Sequence, residues 1–258
     1  MGSYTDLSIE GYPILQTKSG VVPEVMTIFR ETDKRVFTRR LSDRNEMVWG
    51  PTGQADDENE TAIQYVSEVA IVIDRLNVMG FSLRRAREDF ESARHSELDS
   101  MAERPSLNDD RIAFFQDLDF DKYARALREI IDRRLGRIPV MNRRTQEVDP
   151  VLTYILGGDD DYPLGFFSFD IRCLLRLACE LVNPRSEVVQ DITELVAGGY
   201  YAEEERVCDN ATRALVEGYP ENSLRIILTE GSTDSAILRG ALDLLRLRHD
   251  VADGVREA

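Results

Sequence analysis

A chain of 258 residues, 42% hydrophobic and 31% charged, is long enough for one large domain or two modest ones around a substantial core. Its formal charge of −16 excludes indiscriminate binding to nucleic acid, though a local basic face remains compatible with it. No apolar run approaches the roughly 18 residues of a membrane helix, and Met1 to Asp6 lacks the basic and apolar regions of a signal peptide. A cytoplasmic protein without a membrane partner is the expectation. Cys173, Cys179 and Cys208 are odd in number and lack metal-ligand spacing, so they read as buried reduced thiols.

In chain order, the first element reads as a β-hairpin. Tyr4, Leu7 and Ile9 precede Glu10-Gly11, and Tyr12, Ile14 and Leu15 follow it. Pro13 places the second strand at a sheet edge, where no ladder donor is needed. Val25, Met26, Ile28 and Phe29 suit either a short helix begun at Pro23 or a strand. Around them lie Arg30, Lys34, Arg35, Arg39, Arg40 and Arg44, the densest basic cluster of the chain. It reads either as a solvated face paired with the many acids or as a patch facing phosphates.

Trp49 through Glu60 reads as a loop. Ser67 then caps a helix carrying Val69, Val72, Ile73, Leu76 and Met79, and Ser82 caps another carrying Leu83, Ala86, Phe90 and Ala93. After the Pro105 loop, Asp119 caps a strongly periodic helix with Tyr123, Leu127, Ile130 and Ile131. Arg133, Arg134, Arg137, Arg143 and Arg144 gather at and beyond its C-terminus, where cations favour the helix dipole. Pro150 opens a short helix ending at Gly157-Gly158, and Asp159 to Asp161 forms a solvated acidic loop.

Ser168 caps a helix over 169–182, with Arg172, Arg176 and Glu180 as a solvent-facing ladder. Two further helices are predicted over 187–197 and 202–217. Gly218-Tyr219-Pro220 ends the helical pattern, and Leu224 to Thr229 reads as a strand leading through Glu230-Gly231 into a helix over 235–247. The expected fold is mainly α with a small N-terminal β-hairpin region. Residues 1–50 are β-rich and 61–218 helical within a first unit of 1–220, and 221–258 forms a β–α unit.

Met1 to Tyr4, Pro23-Glu24-Val25-Met26-Thr27-Ile28-Phe29-Arg30 and Asp33-Lys34-Arg35 resemble the start of the HEPN/Toprim-associated N-terminal domain family. Leu228-Thr229-Glu230-Gly231-Ser232-Thr233-Asp234 resembles the point where a Toprim domain begins. The resemblance implies a helical HEPN-like bundle followed by an incomplete Toprim-like β–α unit, in proteins of bacterial antiphage and conflict systems. It also implies Mg²⁺ held by Glu230, with Asp234 outside the direct ligands, once an Asp-x-Asp pair from elsewhere completes the site. The stretch from Arg225 to Ala258 falls short of the roughly 50 residues of a small domain. No cofactor is therefore expected for this chain alone.

HEPN ribonucleases place an Arg four to six residues before a His. Here Phe90, Asp89 and Glu88 precede His95 at those positions, and Leu244, Asp243 and Leu242 precede His249. The leading expectation is a binding or scaffolding region that is not catalytic by itself. Arg35, Arg39, Arg40, Arg133, Arg134 and Arg137 are the candidate nucleic-acid contacts. A homo-oligomer or a Toprim-containing partner is expected, with nucleic acid as a further partner. The alternatives are a dimerisation module regulating a partner nuclease and a HEPN-type ribonuclease acting through Arg172, Arg176 and Glu180.

Overall fold

The computed structural model describes residues 3–50, 58–102, 109–136, 149–158, 162–217 and 231–249. Strands β1 (Tyr4–Ile9), β2 (Tyr12–Lys18), β3 (Lys34–Arg40), β4 (Asn59–Glu68) and β5 (Glu187–Asp191) form one antiparallel sheet in the order β2-β1-β5-β4-β3. The helices are α1 (Pro23–Met26), α2 (Glu46–Trp49), α3 (Val69–Val78), α4 (Leu83–Ala102), α5 (Asp109–Asp117), α6 (Phe120–Asp132), α7 (Pro150–Gly157), α8 (Ile171–Glu180), α9 (Thr193–Ala197), α10 (Val207–Glu217) and α11 (Ser232–His249). The chain is thus mostly helical with a small antiparallel sheet.

The hairpin forms as expected. Glu10 and Gly11 both take positive φ, 53° and 74°, the backbone of a turn whose twist matches its flanking strands. Pro13 lies on β2, an outer strand of the sheet. Alternation along the strands then divides the sheet into two faces. Leu7, Ile9, Ile63, Tyr65 and Val188 are fully buried against the helical layer, where α9 packs on β1 and β4 and α3 packs on β4 and β5.

Two strands were not visible in the sequence pattern. Residues 59–68, expected to pass from loop into helix, form β4; residues 187–191, expected to begin a helix, form β5. The sheet is therefore not confined to the first 50 residues. β5 lies between β1 and β4, with Val188 facing the core and Gln190 donating to Thr5 across the strands. A five-residue strand presents too few alternations to outweigh the apolar spacing that continues into α9.

Ser67 is also reassigned. It lies on β4, where its Oγ accepts a 3.5 Å contact from Arg75, and the first amides of α3 instead donate to the carbonyls of Ser186 and Pro184. The Asp119 cap is as expected, accepting from the Lys122 amide, and the helix begun at Pro150 is capped by Asp149, which accepts from the Val151 amide. The helix expected from Ser168 starts two residues later, because Asp170 accepts from the Arg172 amide. That expected from Ala202 starts at Val207.

The helical layer is centred on Phe90 of α4, whose ring lies 5.2 to 5.7 Å from those of Phe120, Tyr123, Phe166 and Phe167. Edge and tilted geometries of this kind add to the burial of large apolar side chains. α8 packs against α3 and α4, which corrects the solvent-facing ladder. Arg176 is buried and donates to Glu180 at 2.8 Å, and Arg172 lies 4.2 Å over the Phe81 ring. All three thiols are buried and unbridged, and burial pushes Cys173 and Cys179 up to about 12.

Long-range polar contacts lock these layers together. Arg75 donates from α3 to the Ile28 carbonyl at 2.9 Å and to Asp33 at 2.5 Å. Glu31 accepts from the Cys208 and Asp209 amides at 2.8 and 3.2 Å, and from the Tyr65 hydroxyl at 3.1 Å. A carboxylate from the first fifty residues thus satisfies the amino end of α10. Beyond α10, Ile237, Leu238 and Leu244 of α11 are exposed. The strand expected over Leu224–Thr229 lies outside the described residues.

Candidate functional site on the outer sheet face

The face of the sheet turned away from the helices is polar. Asp6 and Ser8 of β1, Asp191 and Val189 of β5, Gln64 of β4 and Arg39 of β3 line an open pocket of about 320 Å³. Its rim is completed by Gly11, Asp43, Asn45, Trp49 and Arg134. The antiparallel register sets this composition: Asp6 lies opposite Asp191, which lies opposite Gln64. Side chains directly opposite on neighbouring strands are close enough to interact strongly.

Asp191 is fully engaged. Its Oδ2 accepts from Arg39 Nη1 and Gln64 Nε2, each at 2.7 Å, and its Oδ1 accepts from the Thr193 amide at 2.9 Å. Arg39 also donates through Nε to Glu60 at 2.7 Å. Glu60 takes two bonds from Arg44, which reaches on to Glu194 at 2.8 Å and lies 5.0 Å over the Trp49 ring. Burial opposes ionisation of Glu60, but the bonds from Arg44 and Arg39 outweigh it and hold this carboxyl below its usual range. The same carboxylates raise both guanidiniums above their ordinary values despite burial.

Asp6 is different. It is only 4% exposed, and its carboxyl accepts no hydrogen bond among the described residues, although it lines the pocket. Burial first, and then the Asp191 charge, push its carboxyl up to about 7; Arg39 opposes them only in part. A carboxyl titrating near neutrality can exchange a proton or accept a donor from a bound molecule.

The candidate arginines separate into two groups. Arg39 is locked between Glu60 and Asp191, and Arg134 donates to the carbonyls of Glu10 and Gly11 at 2.9 and 3.4 Å. Arg35, Arg40 and Arg133 are exposed, with Arg35 paired to Glu187 and Arg133 to Glu129. Lys34 donates to the carbonyls of Glu203 and Glu205, and Arg30 to those of Thr27 and Phe29. The basic cluster of the sequence is therefore largely a set of internal donors.

Arg137 and Glu230 lie outside the described residues, as do Arg143, Arg144 and Asp159 to Asp161. Asp234 is exposed in the first turn of α11. His95 is exposed, with Nδ1 2.5 Å from the Glu91 carbonyl. Among the described residues, no three His, Cys, Asp or Glu side chains are placed to hold a metal ion. No described helix is long and apolar enough to cross a membrane.

Asp6, Glu60, Gln64 and Asp191 were missed in the sequence because their significance depends on strand neighbours. Only a carboxylate amid the apolar alternation of β1 hinted at Asp6. No curated protein and no solved structure matches this chain. The family model for HEPN/Toprim N-terminal domain 1 matches residues 1–214, which takes in all five described strands and most of α10. The chain belongs to that family.

Proposed function

We propose that this chain is the N-terminal binding and scaffolding region of a bacterial defence protein of the HEPN/Toprim type, placed ahead of a Toprim nuclease unit and not catalytic by itself. In this reading the helical layer is the HEPN-like bundle, in a protein that works in the cytoplasm. The observation that carries it is the use of the basic cluster. Arg39, Arg44, Lys34 and Arg30 spend their donors on carboxylates and carbonyls of the same fold. A surface built to neutralise phosphates presents its cations outward instead.

Nucleic acid in this proposal contacts the outward guanidiniums of Arg35, Arg40 and Arg133, with Arg137 four residues after Arg133 in sequence. Glu230 would join a Mg²⁺ site only when a partner supplies the remaining carboxylates; hard oxygen ligands suit that ion, which would offset charge at the reacting phosphate. Exposed Asp234 would stand behind it. The test mixes the chain with a Toprim-bearing partner, Mg²⁺ and labelled DNA or RNA. Cleavage that requires both proteins and falls with Glu230→Ala supports the proposal; cleavage by the chain alone, or equal cleavage by the mutant, overturns it.

A second reading, a dimerisation module, draws on β3. This outer strand leaves Val36 48% and Phe37 41% exposed, and among the described residues no strand pairs with its outer edge. Light scattering that returns a dimer, reduced to monomer by Phe37→Lys, favours it; a strictly monomeric wild type removes it.

A further inference from the structure

We propose that the pocket on the outer sheet face binds a small organic cation, with a guanidinium or primary ammonium group held by the Asp6 carboxyl. The inference stands apart from the nuclease reading, since it uses neither Glu230 nor the outward arginines.

Three observations carry it. First, the pocket of about 320 Å³ lies within the usual range for small-molecule sites, about 300–1,000 Å³. Second, Asp6 is the unfilled acceptor within it. Its neighbour Asp191 takes three donors, whereas Asp6 is 4% exposed and takes none among the described residues. Its oxygens stay open to the pocket, because the fully enclosed side-chain polar atom without a partner among the described residues is Arg75 Nε, so a donor entering the pocket can reach them. A ligand bringing N–H donors would satisfy it.

Third, the charges select the sign of that ligand. Asp6, Asp43 and Asp191 line the pocket against Arg39 and Arg134, and Arg39 is shared with Glu60. A cation would relieve the repulsion between Asp6 and Asp191. An anion lodged at the same depth would add to it. Trp49 and Val189 offer apolar wall for a methylene stem, and Trp49 already holds one guanidinium, that of Arg44.

The groups facing Asp6 also give the site a pH signature. The charges acting on it are Asp191 from β5 and Arg39 from β3, and neutral Gln64 from β4, Asp43 and Arg134 line the same pocket. With the Asp6 carboxyl raised to about 7, cation binding below that pH requires loss of its proton. Affinity should therefore be about tenfold weaker at pH 6 than at pH 8.

The experiment titrates the full chain calorimetrically with agmatine and putrescine, with 1,4-butanediol as the uncharged analogue. A blocked arginine peptide and guanosine are titrated separately. Saturable binding of either amine, absent for the diol and about tenfold tighter at pH 8 than at pH 6, is expected. Asp6→Asn should abolish binding while keeping the circular dichroism spectrum, and Trp49→Ala should weaken it several-fold. Tighter binding of the peptide than of the free amines assigns the cation to a protein side chain, within the same chemistry. If Asp6→Asn does not fold, the Asp6 titration followed by NMR in the wild type decides, because agmatine should move it to lower pH. Absence of cation binding, binding untouched by Asp6→Asn, an unmoved Asp6 titration, or binding of guanosine alone overturns the proposal.

Discussion

The two faces of the five-stranded sheet are made from the same strands and follow opposite rules. Toward the helices, Leu7, Ile9, Ile63, Tyr65 and Val188 exclude water and continue into the aromatic cluster around Phe90. Toward the pocket, Asp191, Glu60, Arg39 and Arg44 are also largely buried, but they are charged and held mainly by one another, while Asp6 beside them has no such partner among the described residues. Apolar burial stabilises without regard to partner identity. A buried ion network stabilises only where every member is matched, so a single unmatched acid stands out as a site. The inner face explains why the chain folds; the outer face explains what it has left to bind.

The comparison can be broken most severely from the inner side. Phe90→Ala should cost about 3–5 kcal/mol, because four neighbouring rings lose a common contact and cannot close the gap. Denaturant melts would show this, and a loss below about 1 kcal/mol would mean that the cluster is loosely packed. On the outer side, Asp6→Asn should act in the opposite direction. The folded carboxyl lies at about 7 against an ordinary value of 3.8, so the folded state holds a proton that the unfolded state has lost. That contribution is full below about pH 4 and is lost as pH rises toward 7 and beyond. The asparagine variant should therefore gain up to roughly 3–4 kcal/mol relative to wild type above pH 7 and show a flatter stability profile between pH 4 and 7. Equal pH profiles would place Asp6 in an ordinary solvated environment. The smallest effect belongs to Arg35→Ala, where an exposed pair with Glu187 contributes less than about 1 kcal/mol. A larger loss would show that this exposed pair is coupled to the Arg39 network on the same strand.

How much of this was legible in the sequence follows from the range of the interactions. The hairpin turn at Glu10-Gly11, the edge position implied by Pro13, the Asp119 cap and the helix start at Pro150 are local, and residues a few positions apart reveal them. β4 and β5 are not, since their pairing partners lie far along the chain. The site fared worse for the same reason. Arg39 and Arg44 resemble a phosphate-binding cluster when read beside Arg40. Only the fold brings Glu60, Asp191 and Glu194 to them.

The position of β5 has a consequence for synthesis. It fills the space between β1 and β4, yet it begins 119 residues after β4 ends, 187 against 68. At translation rates of about 5–20 residues per second, those facing strand edges wait roughly 6–24 s for their shared neighbour. During that interval the nascent chain exposes the inner edges of both β1 and β4, each a template for pairing with another chain. The sheet thus gains its middle strand last in order of synthesis, and variants that weaken β5 are expected to show poor soluble yield during expression, before any loss of stability in the finished protein.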